Sequence, residues 1–332
     1  MKKTAVVILN WNGRDFLEKF LPCLLAHTPS DVADIVVADN GSMDDSLDLL
    51  NTKFPDVKQV LLDRNYGFAG GYNRALEGLD YEYFVLLNSD IKVSGGWIDP
   101  LINCLESNDQ VAAVQPKILS YDRCDYFEYA GASGGFIDAL GYPFCRGRLI
   151  NECEQDSGQY DDEREIFWAS GAAFAVRASA FRAAGGFDDL FFAHMEEIDL
   201  CWRFRRMGLS VRVCPGSVVY HVGAGTLPVW SPRKTFLNFR NNIAMLYKNL
   251  SWPRFACVYV ARLATDSLRL VSYLVAGKLH FAGSIVRGHM DFWRLRRSYP
   301  KIDAPKSRVG EIYRFSIVIY YLFVSNEFKK IL

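Results

Sequence analysis

No pair of cysteines in this chain is spaced Cys-x-x-Cys, although there are eight of them. Cys23, Cys104, Cys124, Cys145, Cys153, Cys201, Cys214 and Cys257 are scattered. That excludes the usual zinc clusters and the dithiol redox motif. The N-terminus "MKKTAVVILNWNG" starts basic, but its apolar run, Ala5–Leu9, is too short for a signal peptide core. The thiols are therefore expected to be reduced, in a cytoplasmic protein. No stretch reaches the roughly 18 uncharged apolar residues of a spanning helix. Neither GxGxxG nor GxxxxGK[ST] occurs, nor does any internal repeat or low-complexity segment.

Hydrophobic residues make up 50% of the 332, so a large core is available and wholesale disorder is excluded. Net charge is zero but unevenly spread. Residues 1–230 hold 20 Lys+Arg against 33 Asp+Glu, and residues 231–332 hold 18 against 5. The basic tail implies an anionic partner, either a membrane surface or a nucleic acid.

Short apolar runs alternate with helical patterns over the first 120 residues. "AVVIL", "DIVVAD", "VKQVLL", "YFVLLN" and "VAAVQPKIL" read as strands. "RDFLEKFLPCLLAH" and "SMDDSLDLLNTKF" read as helices, the second capped by Ser42. The alternation predicts an α/β fold with a mostly parallel, doubly wound sheet. Residues 121–165 are expected to be irregular or hairpin, "FWASGAAFAV" (167–176) a strand, and "EEIDLCWRFRRMG" (196–208) a glycine-closed helix. "SVRVCPGSVVYHVG" reads as a late strand leading to His221. Beyond 231, Arg254, Arg262, Asp266 and Arg269 share one stripe of a long helix that is otherwise mostly apolar. The last apolar stretch, 313–324, is too short to span.

Chemistry collects at the strand ends. Asn10 and Asn12, then Asp39, then Asn88-Ser89-Asp90 each follow a buried run, where open α/β sheets bind ligands. Asp39 can accept from a ribose or base. Asp90 beside Asn88 offers the hard oxygens that Mg²⁺ prefers, although Asn-Ser-Asp is equally an ordinary turn. "RNYGFAGGYNRAL" carries glycines that admit close backbone approach, or a flexible loop before a helix. Glu196, Glu197 and Asp199 suit a helix N-terminus, and Asp199 can pair with Arg203 at i, i+4. Either glutamate, aimed into a cleft, could act as a base. His221 is a metal or phosphate ligand, or a structural histidine.

Taken in order, "VVILNWNG", "VVADNGSMDDS", "RNYGFAGGYNRAL", "LLNSD", "WASGAAFAVR", "GGFDDLFFAHMEEIDLCWRFRRMG" and "HVGAGT" resemble glycosyltransferase family 2, and bacterial rhamnosyltransferase-like members in particular. The resemblance spans about residues 4–250. It implies a GT-A fold, with a catalytic domain at 1–230 (donor half to about 120, acceptor half beyond) and a basic, amphipathic helical region at 231–332. It implies an inverting, metal-dependent transfer from a dTDP-, UDP- or GDP-sugar to a glycan or lipid-linked hydroxyl. Asp39, Asn10, Asn12, Arg64, Asn65, Gly67 and Asn88 would hold the donor. Asp90, in the place of the family's DxD motif, and His221 would hold Mg²⁺ or Mn²⁺. Glu197, at the usual aspartate of the Glu-Asp pair, would be the base, with Glu196 the alternative. Trp168 and Gly171 would lie on the acceptor side.

Two other readings use the same features. A nucleotidyltransferase should carry a Gly-rich, lysine-containing first turn, which "LNWNG" lacks. A nucleic-acid binder should show tail signatures that are absent. The tail is expected to meet no nucleic acid. It is expected to lie peripherally on an anionic membrane, its arginines gathered with Trp293 and Tyr299, or to form a homodimer.

Overall fold

The computed structural model describes residues 2–223, 231–300, 312–325, 327, 328 and 331. The chain opens β1 (Thr4–Asn10), α1 (Arg14–His27), β2 (Ala33–Asp39), α2 (Ser46–Lys53), β3 (Lys58–Leu61), α3 (Gly67–Glu77), β4 (Tyr83–Asn88), β5 (Ile91–Val93), α4 (Ile98–Ser107) and β6 (Val111–Ser120). Alternate residues of β1 enter opposite cores: Ala5 and Val7 one, Val6 and Ile8 the other. Burial on both faces explains why these strands show no polar alternation.

Residues 121–165 do form hairpins. A small second sheet joins β7 (Gly135–Asp138), β8 (Pro143–Cys145), β9 (Arg148–Leu149) and β10 (Glu152–Cys153). The main sheet then takes in β11 (Arg164–Ile166), β12 (Ala173–Arg177) and, after α5 (Ala178–Ala183) and α6 (Glu196–Arg206), β13 (Ser210–His221). Its order is β11-β13-β6-β12-β4-β1-β2-β3, with β5 on β13. Strands β1, β2, β3, β4, β6 and β13 run one way, and β5, β11 and β12 run against them. This is a mostly parallel sheet flanked by helices. The order reverses at β1, so a crevice opens beyond the C-terminal ends of β1, β2 and β4.

The C-terminal part is helical: α7 (Pro232–Asn249), α8 (Trp252–Val275) and α9 (Leu279–Leu295), then β14 (Ile312–Tyr313) beside β7, and α10 (Ile317–Phe323). Among the described residues no helix is long and apolar enough to cross a membrane.

Four local expectations change. Helix α2 begins at Ser46, and Ser42 is no cap; its hydroxyl is engaged with β1 instead. The strand read at 167–176 begins only at Ala173, because the residues before it form the loop on which β4 ends. Helix α3 starts at Gly67, so "GFAGG" is helix rather than an open loop. Trp293 and Tyr299 turn inward: the Trp293 indole donates to the Tyr259 hydroxyl at 2.7 Å, and Tyr299 is buried.

Candidate active site

The tips of β1 and β2 lock together before any ligand arrives. The Asn10 side-chain amide donates to Asp39 Oδ1 at 3.1 Å and to Ser42 Oγ at 3.2 Å. The Ser42 and Asn12 backbone N–H groups donate to Asp39 Oδ2 and Ser42 Oγ, both at 2.9 Å. Asn12 Oδ1 accepts from the Met43 N–H. These bonds hold a buried carboxylate at the edge of a cavity of about 490 Å³, lined by Trp11, Asp39, Ser42, Leu62, Arg64 and Asn65 among others. Gly41 closes the turn at φ +70°, where a Cβ would come within 2.5 Å of the Arg64 Cα. Arg64 is exposed over the Tyr66 ring. Asn65 bonds the Gly67 N–H at 2.7 Å, and Gly67 packs under the Phe192 carbonyl. Asn65 lines the cavity, whereas Gly67 is buried away from it.

The second cluster forms by register. Strand β5 pairs with β13 so that Ile91 lies opposite His221. The preceding residue, Asp90, therefore meets the imidazole, with Oδ1 3.2 Å from His221 Nε2. On the other ring nitrogen, Glu128 Oε2 stands 3.2 Å from Nδ1. All three are buried. Burial pushes His221 down, but Glu128 and Asp90 together hold it up at about 10. Burial pushes Asp90 up, and the facing imidazolium more than offsets this, keeping it below the usual carboxylate range. Glu128 was not read from the sequence. Its only local signal is a carboxylate among buried neighbours in "DYFEYAGA", and its partner is 93 positions away.

A divalent cation fits this cluster in part. Asp90 and His221 face each other at 3.2 Å, with Glu128 on the far side of the ring; the Asp90 carboxylate is a hard ligand, and the imidazole could join it only as the neutral ring. No group of three or more His, Cys, Asp or Glu side chains suited to a metal occurs among the described residues. Water and substrate phosphates would have to complete the shell, as is usual for Mg²⁺. Asn88 ends β4, its N–H held by the Ala172 carbonyl at 2.9 Å. The remainder of "HVGAGT" after Gly223 lies outside the described residues.

The glutamates stand on a strained turn. Phe192, His194 and Met195 all have positive φ, between 64° and 73°. Non-glycine residues hold such angles only when their surroundings impose them. Here Asn241 of α7 imposes them: its side-chain amide reaches the carbonyls of Phe191, Ala193 and His194 at 2.8–2.9 Å. Arg240 adds bonds to the Leu190 and Phe191 carbonyls. Glu196 Oε2 and Glu197 Oε2 have no hydrogen-bond partner among the described residues. Burial raises Glu197 to about 7 and Glu196 further, where the neighbouring Glu197 charge adds to it. Asp199 is committed elsewhere, to Arg203 at 2.9 Å and Lys248 at 2.8 Å. Gly171 neighbours Glu197: a Cβ there would meet the Glu197 Cβ at 3.8 Å. The loop of Gly171 and Ala172 thus links Glu197 to the tip of β4. Trp168 differs from expectation. It is buried, its indole donates to the Phe136 carbonyl at 2.8 Å, and it covers Gly135, so it supports the small second sheet from within.

Fold and site together describe a Rossmann-like α/β protein with a cavity of about 490 Å³ beside Asp39, a buried Asp90–His221–Glu128 cluster and two glutamates on a strained turn. The match of the Glycosyl transferase family 2 model to residues 5–183 makes the identification, and the chain belongs to that family. Among curated proteins it is 28% identical over 237 residues to N-acetylglucosaminyl-diphospho-decaprenol L-rhamnosyltransferase of Mycobacterium tuberculosis, covering 67% of this chain and 76% of that one. Among solved structures it resembles GalNAc-T7 with UDP, GalNAc and Mn²⁺ (TM-score 0.60, 16% identity, 91% of this chain but only 58% of that one). It also resembles the mannosyltransferase PcManGT from Pyrobaculum calidifontis with GDP-Man and Mn²⁺ (TM-score 0.52, 13% identity, 88% and 87%). The fold is GT-A, and the chain is a glycosyltransferase of glycan biosynthesis.

Proposed function

We propose that the enzyme transfers a deoxyhexosyl or hexosyl group, with inversion, from a nucleoside diphosphate sugar to a hydroxyl of a glycan or lipid-linked acceptor. Rhamnosyl transfer from dTDP-rhamnose is the donor reading that the mycobacterial relative favours; UDP- and GDP-sugars are the alternatives. The acceptor would be met at the inner surface of the cell membrane, with the protein held there peripherally. Asp39, with Asn10, Asn12, Arg64 and Asn65 around it, would receive the nucleoside. Asp90 and His221 would hold Mg²⁺ or Mn²⁺, with Asn88 beside them; the bound ion would neutralise charge on the leaving diphosphate. Glu197 would take the acceptor proton as the hydroxyl attacks the anomeric carbon from the face opposite the nucleotide. Glu196, more deeply buried, would keep its proton and leave the charge to its neighbour.

One observation carries this reading. The partnerless Glu197 oxygen is held, through the Gly171–Ala172 loop, next to the strand that ends at Asn88-Ser89-Asp90. The test is titration of UDP, dTDP and GDP, with and without Mn²⁺, into wild type and Asp90→Ala. Mn²⁺-dependent binding of one nucleotide, lost in the variant, supports the assignment. No binding to a folded wild type rejects it.

A further inference from the structure

Helix α8 is built inside out. Its charged residues Arg262 and Asp266 are buried and paired at 3.2 Å. His289 of α9 stands 3.2 Å from Asp266, and the Tyr142 hydroxyl donates to it at 3.0 Å. The apolar residues face the other way. Val271 is nine positions from Arg262, about half a turn round the helix. Val260 is 67% exposed, Leu268 74% and Val275 85%. On the neighbouring α9, Leu279, Val286 and Met290 extend the same character outward. An apolar patch of this extent marks an interaction surface.

The rim decides the occupant. Between positions 252 and 300 every exposed charged side chain is basic: Arg254, Arg269, Lys278, Arg287, Arg294 and Arg297. The two acids of this stretch turn to partners, Asp266 to Arg262 and Asp291 to Arg240 and Arg294. An apolar face within a basic rim complements an anionic bilayer. A second copy packed symmetrically would set the same positive rim against itself. Helix α8 is not apolar enough to span, and two charged residues of its stripe, Arg262 and Asp266, are committed to the protein.

We propose that the outward face of α8 and α9 lies in the interface of an anionic membrane, its valines and leucines in the acyl boundary and its arginines among the headgroups. This deepens the peripheral-membrane reading above and rests on it, but not on the chemistry of Glu197. It moves the contact from the arginines gathered with Trp293 and Tyr299, both of which turn inward, to the exposed apolar residues of α8 and α9. It also has a geometric consequence. Tyr142, in the turn between β7 and β8, bonds Thr265 and Asp266, and Asn242 bonds the Gly141 carbonyl. The docking face is thus fastened to the acceptor half, where a lipid-linked acceptor must be delivered.

The test is flotation of the full chain with vesicles of phosphatidylcholine alone or mixed with phosphatidylglycerol. Wild type should float with the mixed vesicles and less with the neutral ones, and added salt should weaken it. Leu268→Glu/Val271→Glu should lose at least about tenfold in partitioning, and Arg287→Glu/Arg297→Glu should lose the preference for anionic lipid. Wild type that floats with neither, or an apolar-face variant that floats unchanged, overturns the proposal. So does a wild-type dimer that light scattering shows to become monomeric in Leu268→Glu/Val271→Glu, since the face would then belong to a second copy. Nucleotide binding by the same preparations separates the two readings: retained binding with lost flotation confines the defect to this face, whereas intact flotation without nucleotide binding sinks only the catalytic assignment.

Discussion

Under the proposed mechanism Glu197 must be able to ionise near neutral pH. Burial raises it from 4.5 to about 7, so the carboxylate forms only as pH passes that value. The turnover rate should therefore climb about tenfold per pH unit below 7 and level off above. Glu197→Gln should lower kcat by about 10²–10⁴ and leave nucleotide affinity intact, as measured by initial rates beside titration. The stability sign runs the other way. A carboxyl raised in the fold adds stability below its unfolded pKa and loses it as pH rises through about 7. Glu197→Gln should thus melt higher than wild type at pH 8, and the gap should shrink toward pH 5. Glu128 permits a second test. As the carboxylate behind His221, it positions that ring, and Glu128→Gln should weaken Mn²⁺ binding about 10–100-fold by titration, apart from any rate. Single residues were legible where local rules place them. Asp39 and Asp90 come at or just after buried strands, so their place at the C-terminal edge of the sheet follows from the local pattern, while their roles are those proposed above. Glu128 was illegible because its role exists only through a contact across the sheet. The burial of Trp168 was not legible, because an indole next to a motif looks the same in sequence whether it faces a cleft or a core.

Elements were legible in proportion to their local determinants. The strands of the donor half and helices α1 and α6 follow from apolar runs, helical periodicity and glycine stops. Helix α3 was read short because its early glycines suggest a loop. They serve close packing instead: a Cβ at Gly71 would press within 2.9 Å of Leu9 and of the Asn40 amide. Ser42 looked like a helix cap because cap chemistry and pocket chemistry use the same hydroxyl. The turn before α6 was the least visible element. Nothing in "LFFAHM" betrays three left-handed residues, since the force that holds them comes from Asn241 on α7. Each buried carbonyl left without a partner costs about 1–3 kcal/mol. Arg240 would still serve the Phe191 carbonyl, so Asn241→Ala strips the bond from those of Ala193 and His194 and should lower Tm by about 3 °C or more in a thermal melt. It should also lower kcat more than it raises the KM for the donor, because the cavity around Asp39 is built from other strands. Equal losses in both would assign Asn241 to general stability alone.

At the scale of the whole molecule, the sequence divides at about residue 230 in composition and charge. That division we keep as one of architecture, but we expect it not to be one of folding. A single core runs through both parts, with Ile243, Met245, Phe255 and Phe292 in the same cluster as Phe167, Trp202 and Phe204. The buried Asp199 draws two of its partners, Lys248 and Asn249, from α7. Removing one side of a buried, hydrogen-bonded charge cluster costs about 3–5 kcal/mol, a large share of ordinary domain stability. Such a cut would also release the Asn241 clamp and uncover aromatic surface. Residues 1–230 expressed alone should accordingly aggregate or melt without a cooperative transition, while the full chain gives one calorimetric peak. A cooperative melt of the short chain with undiminished nucleotide affinity would make the helical region an addition to a self-sufficient catalytic domain. The coupling has a functional side too. Helix α7, which clamps the glutamate turn, packs through Tyr247 on Phe255 of α8 and Phe292 of α9, the helices that carry the outward apolar face; the proposed docking and the proposed base positioning would thus be mechanically linked, and loosening the tail should cost activity even on soluble acceptors.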